Sequence, residues 1–123
     1  MTTIRFTINF ETKLKRKIEK YLDLYESKID LKIQELRINR YHKIESQFQA
    51  NFKLETAELN NEKLIYTSLI LANKLWDSGY LNWRFIGPFE GKPTLFECIL
   101  NNEKDDQSLK WAHIQIEKAL TID

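Results

Sequence analysis

Residues 44–55 run Ile44-Glu45-Ser46-Gln47-Phe48-Gln49-Ala50-Asn51-Phe52-Lys53-Leu54-Glu55. Apolar or small side chains at even positions alternate with polar ones at odd positions, and this period of two marks a β-strand with one buried face. The segment decides the fold class. No glycine or proline precedes Gly79, so breaker residues alone leave a long helical hairpin open for the first half of the chain. The alternating run argues against it. A strand of this length needs a partner, and the nearest is Leu31 to Tyr41. There Leu31 and Ile33 alternate in one phase and Leu36 and Ile38 in the other, as a bulge near Gln34 and Glu35 produces.

Toward the N-terminus, Ile4, Phe6, Ile8 and Phe10 alternate with Arg5, Thr7 and Asn9, which predicts a first strand. Thr12 is placed to cap a helix from about Lys13 to Lys28, whose Leu14, Ile18, Tyr21, Leu22, Tyr25 and Ile29 form one apolar face to lie on the sheet. In the other direction, Glu62 to Ser78 predicts a second helix, with Asn60 or Asn61 as its cap and Gly79 as its stop. Leu64, Ile65, Leu69, Ala72, Leu75 and Trp76 share a face, and Tyr66, Ile70 and Leu71 widen it, so most of this helix must be covered.

Beyond it, Tyr80 to Phe89 and Thr94 to Leu100 form a hairpin about Gly87, Pro88, Gly91 and Pro93. The second of these strands is apolar on both faces, which predicts an interior position. After a polar loop from Asn101 to Gln107, Leu109, Ala112, Ile116, Ala119 and Leu120 step as on a final amphipathic helix capped by Ser108 or Asp106. The expectation is a single α+β domain over residues 1–123, in the order β-α-β-β-α-β-β-α, with three helices packed on a mainly antiparallel sheet. Its first six elements match a ferredoxin-like split unit with an appended strand and helix, and its last six can be parsed as two β-β-α units in tandem.

With 123 residues the chain can bury roughly two thirds of its unfolded surface. Lys and Arg number 19 against 18 Asp and Glu, a net charge of +1, so no global field draws in nucleic acid or an anionic membrane. The single cysteine, Cys98, excludes an intramolecular disulfide and points to a reducing compartment. Arg5 interrupts the only early apolar run, so no signal peptide is read, and no run approaches the roughly 20 apolar residues of a membrane span. These features predict a cytoplasmic protein without membrane partners, and the heavy use of Lys, Asn, Ile and Glu suits an AT-rich bacterial or phage genome.

Chemistry-bearing constellations are sparse. His42 and His113 stand in no ligand-type spacing, so no metal site is expected. Cys98 sits in an apolar strand, where a thiol is inert, which weakens any nucleophile pairing with a histidine. The three glycines make no phosphate loop, and Glu103, Asp105 and Asp106 suit a solvated loop before a helix N-terminus. The expectation is a protein that is not an enzyme, with no catalytic residues and no cofactor.

Two features remain. Lys13, Arg16, Lys17 and Lys20 fall on one helical face as a basic patch in the first turns, where the macrodipole disfavours cations. With Arg37, Arg40 and Lys43 they support the alternative of a nucleic-acid-binding protein. The hairpin concentrates Tyr80, Trp83, Arg84, Phe85, Phe89 and Phe96, and aromatic residues beside an arginine are what protein interfaces use as anchors. On a strand, Trp83 and Phe85 face one side while Asn82, Arg84 and Ile86 face the other. Trp83, Arg84, Phe89, Glu90 and Glu97 are the candidate partner-binding residues. A homodimer joined through apolar strand faces is a further reading.

The Trp83 to Leu100 hairpin, Trp-Arg-Phe-Ile-Gly-Pro-Phe…Leu-Phe-Glu-Cys-Ile-Leu, together with the chain's size and composition, resembles the small immunity proteins of bacterial toxin-immunity pairs, of the contact-dependent-inhibition or polymorphic-toxin type. The resemblance implies a protein-binding module whose partner is a cognate toxin domain, blocked by steric and electrostatic occlusion.

Overall fold

In chain order the elements are β1 (Thr2–Glu11), α1 (Lys15–Ile29), β2 (Gln34–Arg40), β3 (Gln47–Thr56), α2 (Asn61–Leu75), β4 (Trp83–Ile86), β5 (Thr94–Asn101) and β6 (Leu109–Lys118). The computed structural model describes residues 2–44, 46–57, 60–76, 83–87, 94–102 and 109–118, the side chains of 61, 94, 95 and 118 excepted. The strands form one six-stranded sheet in the order β2-β3-β1-β6-β5-β4, antiparallel at every pairing. β1 lies in its middle. It pairs with β3 from Thr2↔Thr56 to Glu11↔Gln47 and with β6 from Thr2↔Lys118 to Phe10↔Leu109. Its backbone groups therefore find partners on both edges, as buried N–H and C=O groups must.

The even-numbered side chains of β1 point into the core. Phe6 stacks on Phe52 of β3 at 4.6 Å between ring centroids and meets the edge of Tyr25 at 5.8 Å, while Phe10 meets the edge of Tyr21. These ring contacts, with Ile18 and Leu22, hold α1 on the sheet. The same tyrosines attach α1 to α2: Tyr25 Oη donates to the Leu71 carbonyl at 2.9 Å and Tyr21 Oη to the Leu75 carbonyl. The Tyr25 hydroxyl adds a second bond to a carbonyl one turn before the helix end, while the Leu75 carbonyl ends the helix and lacks an intrahelical donor, so the Tyr21 hydroxyl satisfies a group that water would otherwise have to reach. Lys74 Nζ does the same for the Lys28 carbonyl at the end of α1, at 2.9 Å. At its start α2 is capped as the sequence predicts, Asn60 Oδ1 accepting from the Lys63 N–H at 2.9 Å. Leu64, Leu71, Ala72 and Leu75 are buried, whereas Tyr66 is 67% exposed. Among the described residues no helix is long and apolar enough to cross a membrane.

The expected third helix is absent. Residues Leu109–Lys118 form β6, so the described residues contain two helices and the order is β-α-β-β-α-β-β-β. Ala112, Ile114 and Ile116 are buried and alternate with half-buried Trp111, His113, Gln115 and Glu117, which is strand periodicity. A register shift between Asn9 and Phe10 brings Leu109 into the core as well, and the resulting three-residue step from Leu109 to Ala112 imitates a helix. The ferredoxin-like and tandem readings fall with that helix. A split βαββαβ unit would seat the strand after α2 beside β1, but β6 takes that place and β4 lies at the far edge.

Smaller boundaries also move. α2 ends at Leu75, where Trp76 is extended (φ −152°), so the helix stops before Ser78, and Gly79 lies outside the described residues. α1 starts at Lys15 with Leu14 at the cap, and Thr12 Oγ1 accepts from the Leu14 N–H at 3.3 Å instead of capping the helix. β3 starts at Gln47, and Ile44 belongs to the turn before it. The bulge expected in β2 is present: the register shifts between Gln34 and Arg37, and Glu35 has φ 54°. Since β2 is an edge strand, this kink and its exposed arginines also discourage pairing with a second sheet.

Two outcomes test this packing. Phe6→Ala should cost about 3–5 kcal/mol in urea unfolding, because its ring fills the contact between β1, β3 and α1. The second concerns pH. Burial pushes the Tyr21 phenol from 10.0 up to about 12, pushes Tyr25 well above 10.0, and pushes the Cys98 thiol from 9.0 to about 12. Each group is neutral when protonated, so the unfolded chain loses these protons first. The stability they contribute is complete below the unfolded values and is lost as pH rises toward the folded ones. The urea midpoint should stay level up to about pH 9 and then fall. Tyr25→Phe should lower it by the equivalent of roughly 1–2 kcal/mol at neutral pH and make the alkaline decline shallower.

Candidate interaction surface

Both helices cover one face of the sheet, and strand alternation sends the remaining side chains to the other. Following the strand registers, Arg37 of β2, Asn51 of β3, Thr7 of β1, His113 of β6, Ile99 of β5 and Arg84 of β4 form one row across all six strands. On one side of it lies the row Lys53, Arg5, Gln115, Glu97 and Ile86, and on the other Asn39, Gln49, Asn9, Trp111 and Asn101. The apolar half of each strand forces this polar half, since successive side chains must alternate.

The amides are tied together. Thr7 Oγ1 donates to Asn51 Oδ1 at 3.0 Å, Asn51 Nδ2 to Gln49 Oε1 at 3.3 Å, and Gln49 Nε2 to Asn9 Oδ1 at 3.0 Å. This chain of dipoles crosses between β1 and β3 and fixes rotamers that isolated surface amides would leave free. Charges are mostly matched. Arg5 Nε meets Glu117 at 3.1 Å, Lys110 meets Glu11 at 3.7 Å, and Lys53 Nζ reaches Glu55 at 3.2 Å and Glu35 at 3.4 Å. The hydrogen bond to Glu55 leads in holding the Lys53 ammonium above its ordinary value of 10.5, outweighing a desolvation that acts the other way. His113 Nε2 lies 3.3 Å from Glu97 Oε1.

Two hollows open on this face and share Thr7. One, of about 320 Å³, is lined by side chains that include Arg5, Glu35, Arg37, Asn51, Lys53 and His113. The other, of about 450 Å³, is lined by Asn9, Tyr41, Gln47, Gln49, Asn101 and Trp111 among others. Asn9 and Gln47 are only 7% and 9% exposed. The first hollow is charged and the second is amide-lined with aromatic walls.

The residues singled out from the sequence separate. Trp83 is 5% exposed and donates its indole N–H to the Trp76 carbonyl at 3.4 Å, so it is part of the core. Arg84 is exposed on the uncovered face, and Glu97 is half-buried there beside His113. Phe89 and Glu90 lie outside the described residues, as do Glu103, Asp105 and Asp106. Arg16, Lys17 and Lys20 are exposed on α1, while Lys13 precedes the helix. Arg37 faces the first hollow, Arg40 lies over the Phe48 ring at 5.4 Å, and Lys43 is in the turn before β3. Cys98 is fully buried on the helix side and pairs with Ile114, whereas His113 faces the opposite side of the sheet. No nucleophile pair forms from them. Among the described residues no three of His, Cys, Asp and Glu stand close enough to hold a metal ion.

The surface residues that the sequence reading did not single out are Thr7, Asn9, Gln49, Asn51 and Trp111. Their signal was the alternation itself, read for its apolar half alone. Comparison with protein-family models, with curated proteins and with solved structures finds no match to this chain.

A thiol held this way should be silent. Native Cys98 is expected to react with an aromatic disulfide reagent only through opening of the fold, at least about 100-fold more slowly than in denaturing urea. Fast native labelling would place the thiol nearer to solvent than its position in β5 allows.

Proposed function

We propose that the chain is a non-catalytic protein-binding module that receives a cognate protein on the uncovered face of its sheet. In the bacterial cytoplasmic setting expected from its sequence, the reading takes the form of an immunity protein that covers a toxin domain. The observation that supports it most is the face itself: side chains already held in place, both signs of charge, and two hollows about a shared centre.

Preformed side chains lose little conformational freedom on docking, which lowers the cost of association. Balanced charges favour a partner with a complementary pattern over any uniformly charged polymer. Size is adequate too. Five strand spacings span about 24 Å and a ten-residue strand about 33 Å, which gives up to roughly 800 Å², the area each partner contributes to a standard protein interface.

Nucleic acid is less favoured. The basic patch on α1 lies on the helix side, and Arg5, Lys53 and Lys110 on the sheet side each have a carboxylate neighbour. Phosphates would have to compete with those carboxylates.

The test uses two variants. Gln49→Lys with Gln115→Lys disturbs the sheet face, and Arg16→Glu with Lys20→Glu disturbs the helix face. When a toxin domain encoded beside the gene is expressed, the natural chain and the helix-face variant should restore growth and the sheet-face variant should not. Protection that survives the sheet-face change, or an RNA affinity that falls steeply with salt and depends on Arg16 and Lys20, would instead favour the α1 surface.

A further inference from the structure

We propose that the hollow between Arg5 and Arg37 is the anchor of this docking face and takes one carboxylate, an aspartate or glutamate side chain of the partner protein. The inference rests on the docking-face reading and adds the chemistry of the contact.

Arg37 differs from the other cations around the hollow. Arg5 is engaged through Nε with Glu117 at 3.1 Å, and Lys53 lies between Glu55 and Glu35 at 3.2 and 3.4 Å. The Arg37 side chain makes no hydrogen bond, ion pair or ring contact among the described residues, although it lines a concave site. It stands opposite Asn51 on the edge strand, in the row that continues through Thr7 to His113. A guanidinium presents two parallel N–H groups that match the two oxygens of a carboxylate. Arg5 spends only Nε on Glu117, which leaves its terminal amino groups as further donors to the same anion.

Charge decides between a carboxylate and a phosphate. Arg5, Arg37 and Lys53 stand near Glu35, Glu55 and Glu117, three of each sign. These six charges cancel, so a phosphate group would add up to two negative charges to a neutral site, whereas a single carboxylate adds one and places it on the one cation that has no carboxylate of its own. In the free protein Arg37 is exposed and hydrated; once a partner closes the hollow, the pair is shielded from water and becomes stronger than an open surface pair. Arginines in such positions are frequent interface hot spots.

The test is a ¹⁵N NMR titration of the whole chain with N-acetyl-Ala-Glu-Ala-amide, with the Gln tripeptide as the neutral control and inorganic phosphate as a third probe. Arg16, exposed on α1, serves as the internal reference. The Arg37 Nε–H signal and the amides of Thr7, Asn51 and His113 should shift saturably with the Glu peptide, with an affinity at least about tenfold above that at Arg16. The Gln peptide should leave them in place. Arg37→Gln should abolish the response while the remaining spectrum stays as it was. Equal responses at Arg37 and Arg16, or tighter binding of phosphate than of the Glu peptide, would overturn the proposal. That failure is distinct from failure of the docking face, which the Gln49 and Gln115 changes probe separately.

Discussion

β1 lies in the interior of the sheet with an apolar face against two helices, and a strand in that position must have both of its backbone edges paired. Most of the architecture follows from this requirement. β3 supplies one edge along ten matched positions and β6 supplies the other. Once those three strands are set, Phe6, Phe10, Phe52 and Leu54 form the floor on which the α1 tyrosines rest, and the tyrosine hydroxyls in turn position α2. The uncovered face is the other consequence of the same alternation. Core and uncovered face are two sides of one pattern, and a change of phase in any strand would exchange them.

Much of this was legible because local and long-range preferences agree in the first half of the chain. β1 and β3 alternate without interruption, α1 carries its apolar stripe, and the phase change in β2 marks a real bulge at Glu35. β6 was misread because two periodicities compete there. Leu109, Ala112 and Ile116 satisfy helical steps, whereas Ala112, Ile114 and Ile116 satisfy strand steps. Ile114 separates the two, since it is superfluous to the helix and essential to the strand. The demand that settles the matter, the unfilled second edge of β1, is invisible in any local window.

The surface was legible by parity more than by residue type. Trp83 and Arg84 are neighbours in sequence and both suit an interface, yet strand alternation sends one to the core and the other to the open side. Reading aromatic content as an interface signal therefore selected a core residue. Reading the polar half of β1 and β3 would have found Thr7, Asn9, Gln49 and Asn51, the amides that hold the face in one arrangement. Their hydrogen bonds depend on cross-strand register, which residue identities alone do not specify.

The pairing of β1 with β6 also has a temporal side. Arg5 and Glu117 meet across 112 positions of sequence, so a ribosome must release nearly the whole β6 segment before the middle of the sheet can close. Until then a nascent chain carries one unsatisfied strand flank, the sort of surface that chaperones shield. Native topology with such remote contacts is reached slowly compared with helical bundles, on the order of milliseconds to seconds. Any surface that needs the finished sheet is thus available only once β6 has joined it.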